Sequence, residues 1–239
     1  MRTGTTPAGA RTEAQAAAWV RDMFGRVAPR YDLLNHLLSA NVDRYWRTRT
    51  VRRVRAILER SDALAMDICC GTGDLTIALR KRAACTVLGS DFCHPMLVAA
   101  RAKHSSPVFE SDALRLPVRD GSLDLITVAF GFRNLANYRR GMEEMRRALK
   151  PGGVAAILEF SQPPNRAFAA LYNFYSKHVL AAIGGLLSGS REAYTYLPES
   201  VRKFPAAEEL AEEMRAAGFS DVEFERMTGG IVALHIARV

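Results

Sequence analysis

The chain has 239 residues, 49% of them hydrophobic and 24% charged, with a formal net charge of +8. That length suits one α/β domain with appended elements, and the composition is that of a globular protein whose core needs no disulfide staples. No run of about 18 or more uncharged apolar residues exists, which argues against a bilayer-spanning helix.

Residues 1–18 are polar or alanine-rich and lack the basic-then-apolar layout of a secretory signal, so they are expected to form a disordered lead-in to a single domain over 19–239. Within it, 19–60 should form an N-terminal helical cap. Tyr31-Asp32-Leu33-Leu34-Asn35 precedes a helix, and a second helix is predicted from Asp43 to Glu59. Val51, Val54 and Leu58 recur at three- and four-residue steps, which turns one stripe inward and the arginines (Arg44, Arg47, Arg49, Arg52, Arg53, Arg55, with Arg60 just beyond) outward. Such a face is either simply solvated or meets an anionic membrane surface. Nucleic acid is disfavoured, because few aromatics interleave with the charges.

The most informative stretch follows, Met66-Asp67-Ile68-Cys69-Cys70-Gly71-Thr72-Gly73-Asp74. An apolar strand from Ala63 to Ile68 carries an acid near its end, and a Gly71-x-Gly73 turn then opens a helix running to Arg82. Glycines at such a turn let backbone approach a ligand, and helix-start N–H groups face it. The third glycine of the dinucleotide fingerprint is missing. Flanking aspartates would repel a pyrophosphate and suit a cationic, adenosine-bearing ligand, and S-adenosylmethionine has that charge. The four cysteines (Cys69, Cys70, Cys85 and Cys93) lack paired C-x-x-C spacing and read as reduced small apolar residues, as in a cytoplasmic protein. The five histidines are scattered, so no metal is expected.

The next strand ends at Asp91, close to the roughly 20-residue separation at which such folds place a carboxylate on ribose hydroxyls. Pro95 marks the first turn of a helix to about Lys103. A third strand end at Ser111-Asp112-Ala113 can bracket an adenine edge with a carboxylate and a backbone N–H. Asp91 and Asp112 could each also be plain helix caps, but strand-terminal aspartates at regular intervals favour a ligand crevice. Leu123 to Phe130 reads as a buried central strand. A helix from Asn137 to Leu149 stops at Lys150-Pro151-Gly152-Gly153, and Val154 to Phe160 is the next strand. Over 163–204 lies an insertion whose segment 167–190 is apolar and aromatic. It is a helix buried against the body, or a lid or groove that receives a greasy substrate or dips into a bilayer surface. A helix from Ala206 to Ala217 and strands Val222–Met227 and Ile231–Val239 complete an α/β chain with a mostly parallel sheet.

With Asp67-x-x-x-Gly71-x-Gly73 and Leu149-Lys150-Pro151-Gly152-Gly153 in place, the chain resembles a class I S-adenosylmethionine-dependent methyltransferase. Tyr31-Asp32-Leu33-Leu34-Asn35, Phe130-Gly131-Phe132-Arg133-Asn134-Leu135, Glu159-Phe160-Ser161-Gln162-Pro163, Phe204-Pro205 and His235-Ile236 narrow the resemblance to the menaquinone/ubiquinone biosynthesis C-methyltransferase family, from about Ala18 to the C-terminus. The resemblance implies a Rossmann-like, seven-stranded, mostly parallel sheet flanked by helices with an antiparallel last strand. It implies S-adenosylmethionine contacts at Thr72, Asp91, Asp112 and Ala113, beside the Asp67, Gly71 and Gly73 of the loop. Ala129 stands where the family often has serine, so a hydroxyl contact should be missing.

The implied reaction methylates a ring carbon of a prenylated hydroquinone, taking demethylmenaquinol to menaquinol. A ubiquinone-pathway benzoquinol is the alternative acceptor; a non-catalytic lipid-pathway module or a nucleic-acid methyltransferase is more distant. The positions matching the family's active site are Tyr31, Arg133 and Asn134, with Arg133 favouring a phenolate and unable to act as a base. Each also has a structural reading, as a helix anchor or a loop cap. His36 is a weaker candidate base. The expected location is cytoplasmic, with peripheral contact at an anionic membrane surface.

Overall fold

A computed structural model describes residues 4–7, 9–104, 106–175 and 191–239. Seven strands, β1 (Leu64–Ile68), β2 (Thr86–Asp91), β3 (Val108–Glu110), β4 (Leu123–Ala129), β5 (Leu149–Phe160), β6 (Ser220–Met227) and β7 (Val232–Arg238), form one sheet in the order β3-β2-β1-β4-β5-β7-β6. Only β7 runs antiparallel to its neighbours, β5 and β6. The expected mostly parallel sheet with an antiparallel final strand is what the chain forms.

The central strands are apolar on both faces because helices cover both. Side chains alternate across the sheet. Ile126 and Val128 enter the core on one face with Met142, Met145, Leu210 and Met214. Leu125 enters the other with Leu58, Leu79, Val87 and Leu158. The covering helices are α1 (Glu13–Val27), α2 (Tyr31–Leu38), α3 (Val42–Arg53), α4 (Arg55–Leu58), α5 (Asp74–Arg80), α6 (His94–Lys103), α7 (Tyr138–Ala148), α8 (Arg166–Tyr175), α9 (Arg191–Lys203) and α10 (Ala207–Ala216). Pro95 lies in the first turn of α6, and the Asn137 side chain caps α7 by accepting the Arg140 N–H at 3.0 Å.

The chain turns from one half of the sheet to the other between β1 and β4, which are hydrogen-bonded neighbours. Loops leaving their C-terminal ends therefore diverge, which opens a crevice there.

Several sequence expectations are corrected. Residues 1–18 were expected to lead in without structure, yet α1 starts at Glu13 and the Thr5 N–H donates to the Leu135 carbonyl at 2.8 Å. The helix over Asp43–Glu59 breaks at Val54 into α3 and α4. Its arginines do not simply face solvent. Arg47 is buried, Arg49 and Arg53 pair with Glu225 and Glu223 of β6, and Arg60 pairs with Asp124. β5 begins at Leu149, which pairs with Leu123, and the Lys150–Gly153 turn bulges out before pairing resumes at Val154. The apolar segment 167–190 contributes α8, and its part at 176–190 lies outside the described residues. Among the described residues, no helix is long and apolar enough to cross a membrane.

Candidate active site

Two backbone outliers mark the crevice. Cys69 after β1 and Phe130 after β4 both hold positive φ, 50° and 59°, a region non-glycine residues rarely occupy. Such strain persists where surroundings hold it, often at functional sites. Gly71 and Gly73 follow at φ 56° and 87°. A side chain on Gly73 would also place Cβ 2.0 Å from His104 Nε2. The loop thus keeps its backbone bare toward a first cavity.

Asp91, at the end of β2, anchors this loop. One carboxylate oxygen accepts the Gly71 N–H at 2.8 Å and the other the Cys93 N–H at 2.9 Å. Each oxygen retains a lone pair for a further donor. Burial pushes the Asp91 carboxyl up to about 6 despite these bonds. Asp112 accepts the Leu114 N–H at 2.9 Å and lines the same cavity with Ala113, Thr72 and Gly71. The Ser111 hydroxyl lines it too, buried and without a hydrogen-bond partner.

Asp67 lines the same cavity and also braces the scaffold. Its two oxygens accept the Thr76 hydroxyl at 2.7 Å and the Thr127 hydroxyl at 2.8 Å, which ties β1 to α5 and β4. Burial raises it to about 6. Ala129 lines the wall with no hydroxyl to offer, as its identity implied. Burial drives the Cys69 and Cys70 thiols well upward, so neither is a thiolate nucleophile.

Beside the first cavity lies a second, of about 540 Å³, walled by α1, α2, α3, α8 and α9. Tyr31, Arg47 and Phe130 belong to both walls. The second is mainly apolar and aromatic: the Phe130 and Phe160 rings lie 4.8 Å apart at a tilt, and Trp46 lies 5.8 Å from Phe130. Its polar end is Arg133, only 5% exposed. Arg133 Nη1 donates to Glu159 at 2.8 Å and to the Phe130 carbonyl, and its guanidinium lies 5.2 Å over the Phe160 ring. Its Nε has no partner. Asn134, on the first cavity, accepts a hydrogen bond from the Tyr196 hydroxyl at 3.0 Å.

A charge network closes the side where α2 and α3 meet the glycine loop. Lys103 donates to Asp32 at 2.6 Å and pairs with Asp74, and the Thr72 hydroxyl donates to Asp32. His36 Nδ1 lies 2.9 Å from Asp43 and its Nε2 3.8 Å from Asp74. Arg47 pairs with both of these aspartates. His36, Asp43 and Asp74 are the one group among the described residues close enough to share a cation, but Arg47 and Lys103 already pair with its two carboxylates.

The expected site residues therefore converge on two adjoining cavities. Thr72, Asp91, Asp112, Ala113 and Gly71 surround the first with Asn134, Arg133 reaches the second, and Tyr31 borders both; Gly73 packs against His104 instead, outside the cavity wall. His36 belongs to the charge network. Sequence reasoning missed Glu159, Tyr196 and the inward turn of Arg47. Glu159 left a signal, a lone acid in an apolar strand, whereas Tyr196 left none.

The sequence profile of the ubiE/COQ5 methyltransferase family matches residues 11–238. A Thermus thermophilus protein named demethylmenaquinone methyltransferase is 47% identical over 220 residues, 90% of this chain and 98% of that one. A Deinococcus radiodurans protein of the same name is 47% identical over 223 residues, 91% of each chain. Among solved structures, an S-adenosylmethionine-dependent methyltransferase of Thermotoga maritima, described as a possible histamine N-methyltransferase, aligns with a TM-score of 0.66 at 18% identity, over 91% of this chain and 98% of that one. At that identity the likeness concerns the fold.

Proposed function

We propose that this chain, which belongs to the ubiE/COQ5 methyltransferase family, methylates a ring carbon of demethylmenaquinol to give menaquinol, with S-adenosylmethionine as donor. The observation that carries the reading is the pair of cavities sharing Tyr31, Arg47 and Phe130, one lined by strand-end carboxylates and the other apolar with a buried arginine.

The first cavity fits the donor. It offers Asp91 for a ribose diol, the unpartnered Ser111 hydroxyl and Asp112 near a base edge, and a bare glycine loop. When bound, the donor supplies an electrophilic methyl group on a sulfonium sulfur. Asp91, Asp112 and Ala113 hold its adenosine part, Gly71 admits it without Cβ interference, and Thr72 closes the loop through Asp32.

In the second cavity, Phe130, Phe160 and Tyr172 take the prenylated ring, and apolar walls exclude water. Ring carbon is a weak nucleophile until the neighbouring phenol ionises. Arg133 stays charged beside Glu159, with an unpartnered N–H to favour the phenolate. It cannot take the proton. Arg133 and Asn134 position the phenolic oxygen or the water that receives its proton. Burial raises the Tyr31 hydroxyl, so Tyr31 acts as a neutral group. Aligning ring and donor across the shared wall is worth roughly 7–11 kcal/mol in favourable cases.

The test is one assay with labelled methyl donor, demethylmenaquinol and a demethylated benzoquinol. Label entering the organic phase with the first supports the reading; label only with the second overturns the acceptor. Wild-type turnover and quinol affinity in Arg133→Ala would sink the role of Arg133.

The acceptor is lipophilic, and the exposed Leu33 (67%) on α2 and Tyr175 (41%) on α8 lie on elements that wall its cavity. Exposed Arg44 and Arg52 on α3 add positive charge. A peripheral contact with an anionic bilayer follows from this reading. Co-sedimentation with anionic vesicles but not neutral ones, reversed by salt, is the expected result. Equal binding to both, or to neither, overturns it.

A further inference from the structure

Asn134 borders the first cavity next to Arg133, and the orientation of its amide decides what it presents there. Its Oδ1 accepts from the Tyr196 hydroxyl at 3.0 Å, while its Nδ2 faces the Phe130 carbonyl at 3.5 Å. The second contact is long, and Arg133 Nη1 already donates to that carbonyl. The carbonyl, which can only accept, sets the sense of the amide, and Tyr196 supplies the shorter bond that holds it there. An amide carries two N–H donors at one end and lone pairs at the other. With its oxygen held by Tyr196, Asn134 keeps an N–H for a reacting oxygen.

Tyr196 is well placed to hold that position. It is buried, its ring lies 5.0 Å from that of Trp19 on α1, and its hydroxyl is 2.7 Å from the Thr5 hydroxyl. With Thr5 donating to Tyr196 and Tyr196 to Asn134, the hydroxyls point one way. Tyr196 also lines the second cavity.

We infer that Tyr196 is a positioning residue for methyl transfer, its hydroxyl fixing the Asn134 amide so that an N–H faces the quinol oxygen that gains charge. The inference rests on the role of Asn134 proposed above. A turned amide would set lone pairs against a developing phenolate, exchanging attraction for repulsion.

Tyr196→Phe keeps the ring on Trp19 and removes only the hydroxyl. The expected result is a roughly 5–10-fold fall in kcat, the scale of one hydrogen bond, with quinol KM and donor affinity unchanged. In an Asn134→Ala background, Tyr196→Phe should cause no further fall. Asn134→Asp, which places an oxygen where the N–H stood, should be slower than Asn134→Ala. An additive loss in the Asn134→Ala background, or Asn134→Asp as fast as wild type, overturns this inference alone. So does a lowered Tm for Tyr196→Phe with kcat intact. Wild-type kcat in Asn134→Ala overturns the role of Asn134 and this inference with it.

Discussion

Glu159 receives Arg133 twice, once from the guanidinium at 2.8 Å and once from the backbone N–H at 3.1 Å, with both side chains almost wholly buried. The carboxylate at the end of β5 thereby fixes the loop after β4 and the cation at the polar end of the second cavity together. Glu159 also takes the Phe160 N–H at 2.8 Å, so it has no freedom of its own.

Glu159→Gln should accordingly be costly in two ways. It strands a buried guanidinium, which for broken buried pairs costs roughly 3–5 kcal/mol. Chemical denaturation should show that loss, and kcat should fall at least tenfold as Arg133 is released. Replacing both residues with leucine should recover part of the stability and none of the turnover. Full activity in Glu159→Gln would show that the pair only staples the loop.

Donor binding should weaken on acidification. Asp91 is raised to about 6 by burial, and only the ionised form accepts both ribose hydroxyls in charge-assisted bonds. Below about 6 the free site is increasingly protonated, so donor Kd should rise by up to about tenfold per pH unit. Calorimetric titration from pH 8 to pH 5 checks this. Asp91→Asn should bind weakly throughout and lose most of the slope. An unchanged slope would move the titration to another group.

Gly131→Ala should disturb the same loop sterically. The added Cβ would lie 2.5 Å from Cys69 Cβ, closer than real contacts allow. Overpacking of this kind costs about 1–3 kcal/mol. Since Cys69 sits at φ 50°, Cys69→Gly in the same chain removes the clash and suits the backbone. Thermal melts and turnover should fall in the single variant and recover in the double.

His235 should make the fold acid-sensitive. It is buried, its Nε2–H donates to the Ala207 carbonyl at 2.8 Å, and burial lowers its pKa from 6.5 to about 4. The unfolded chain binds a proton below about 6.5 that the folded chain refuses until about 4. Its stabilising contribution is therefore complete above 6.5 and lost as pH falls from 6.5 toward 4. Asp67 and Asp91, both raised to about 6, act in the opposite direction over part of this range. The difference in unfolding free energy between wild type and His235→Gln isolates the histidine. That difference should shrink on acidification, and a constant one would refute the assignment.

Local chemistry alone was enough to place the strands, the glycine loop, and Asp91 and Asp112 at strand ends. Short apolar runs, Gly-x-Gly and Pro151-Gly152-Gly153 depend on backbone sterics and near neighbours, which a linear chain displays directly. The Phe130–Leu135 stretch likewise pointed to Arg133 and Asn134. Tertiary structure decided which polar group meets which. Arg47 looks like one arginine among several on a helix face, and only the approach of α3 to Asp74 turns it inward. Asp67 reads as a ligand-facing carboxylate, and only the fold shows that Thr76 and Thr127 also tie it to α5 and β4. Glu159 and Tyr196 reach the loop after β4 across 26 and 62 residues of chain. A buried charge or hydroxyl must find its partner wherever the fold places one, and sequence separation carries no record of that distance.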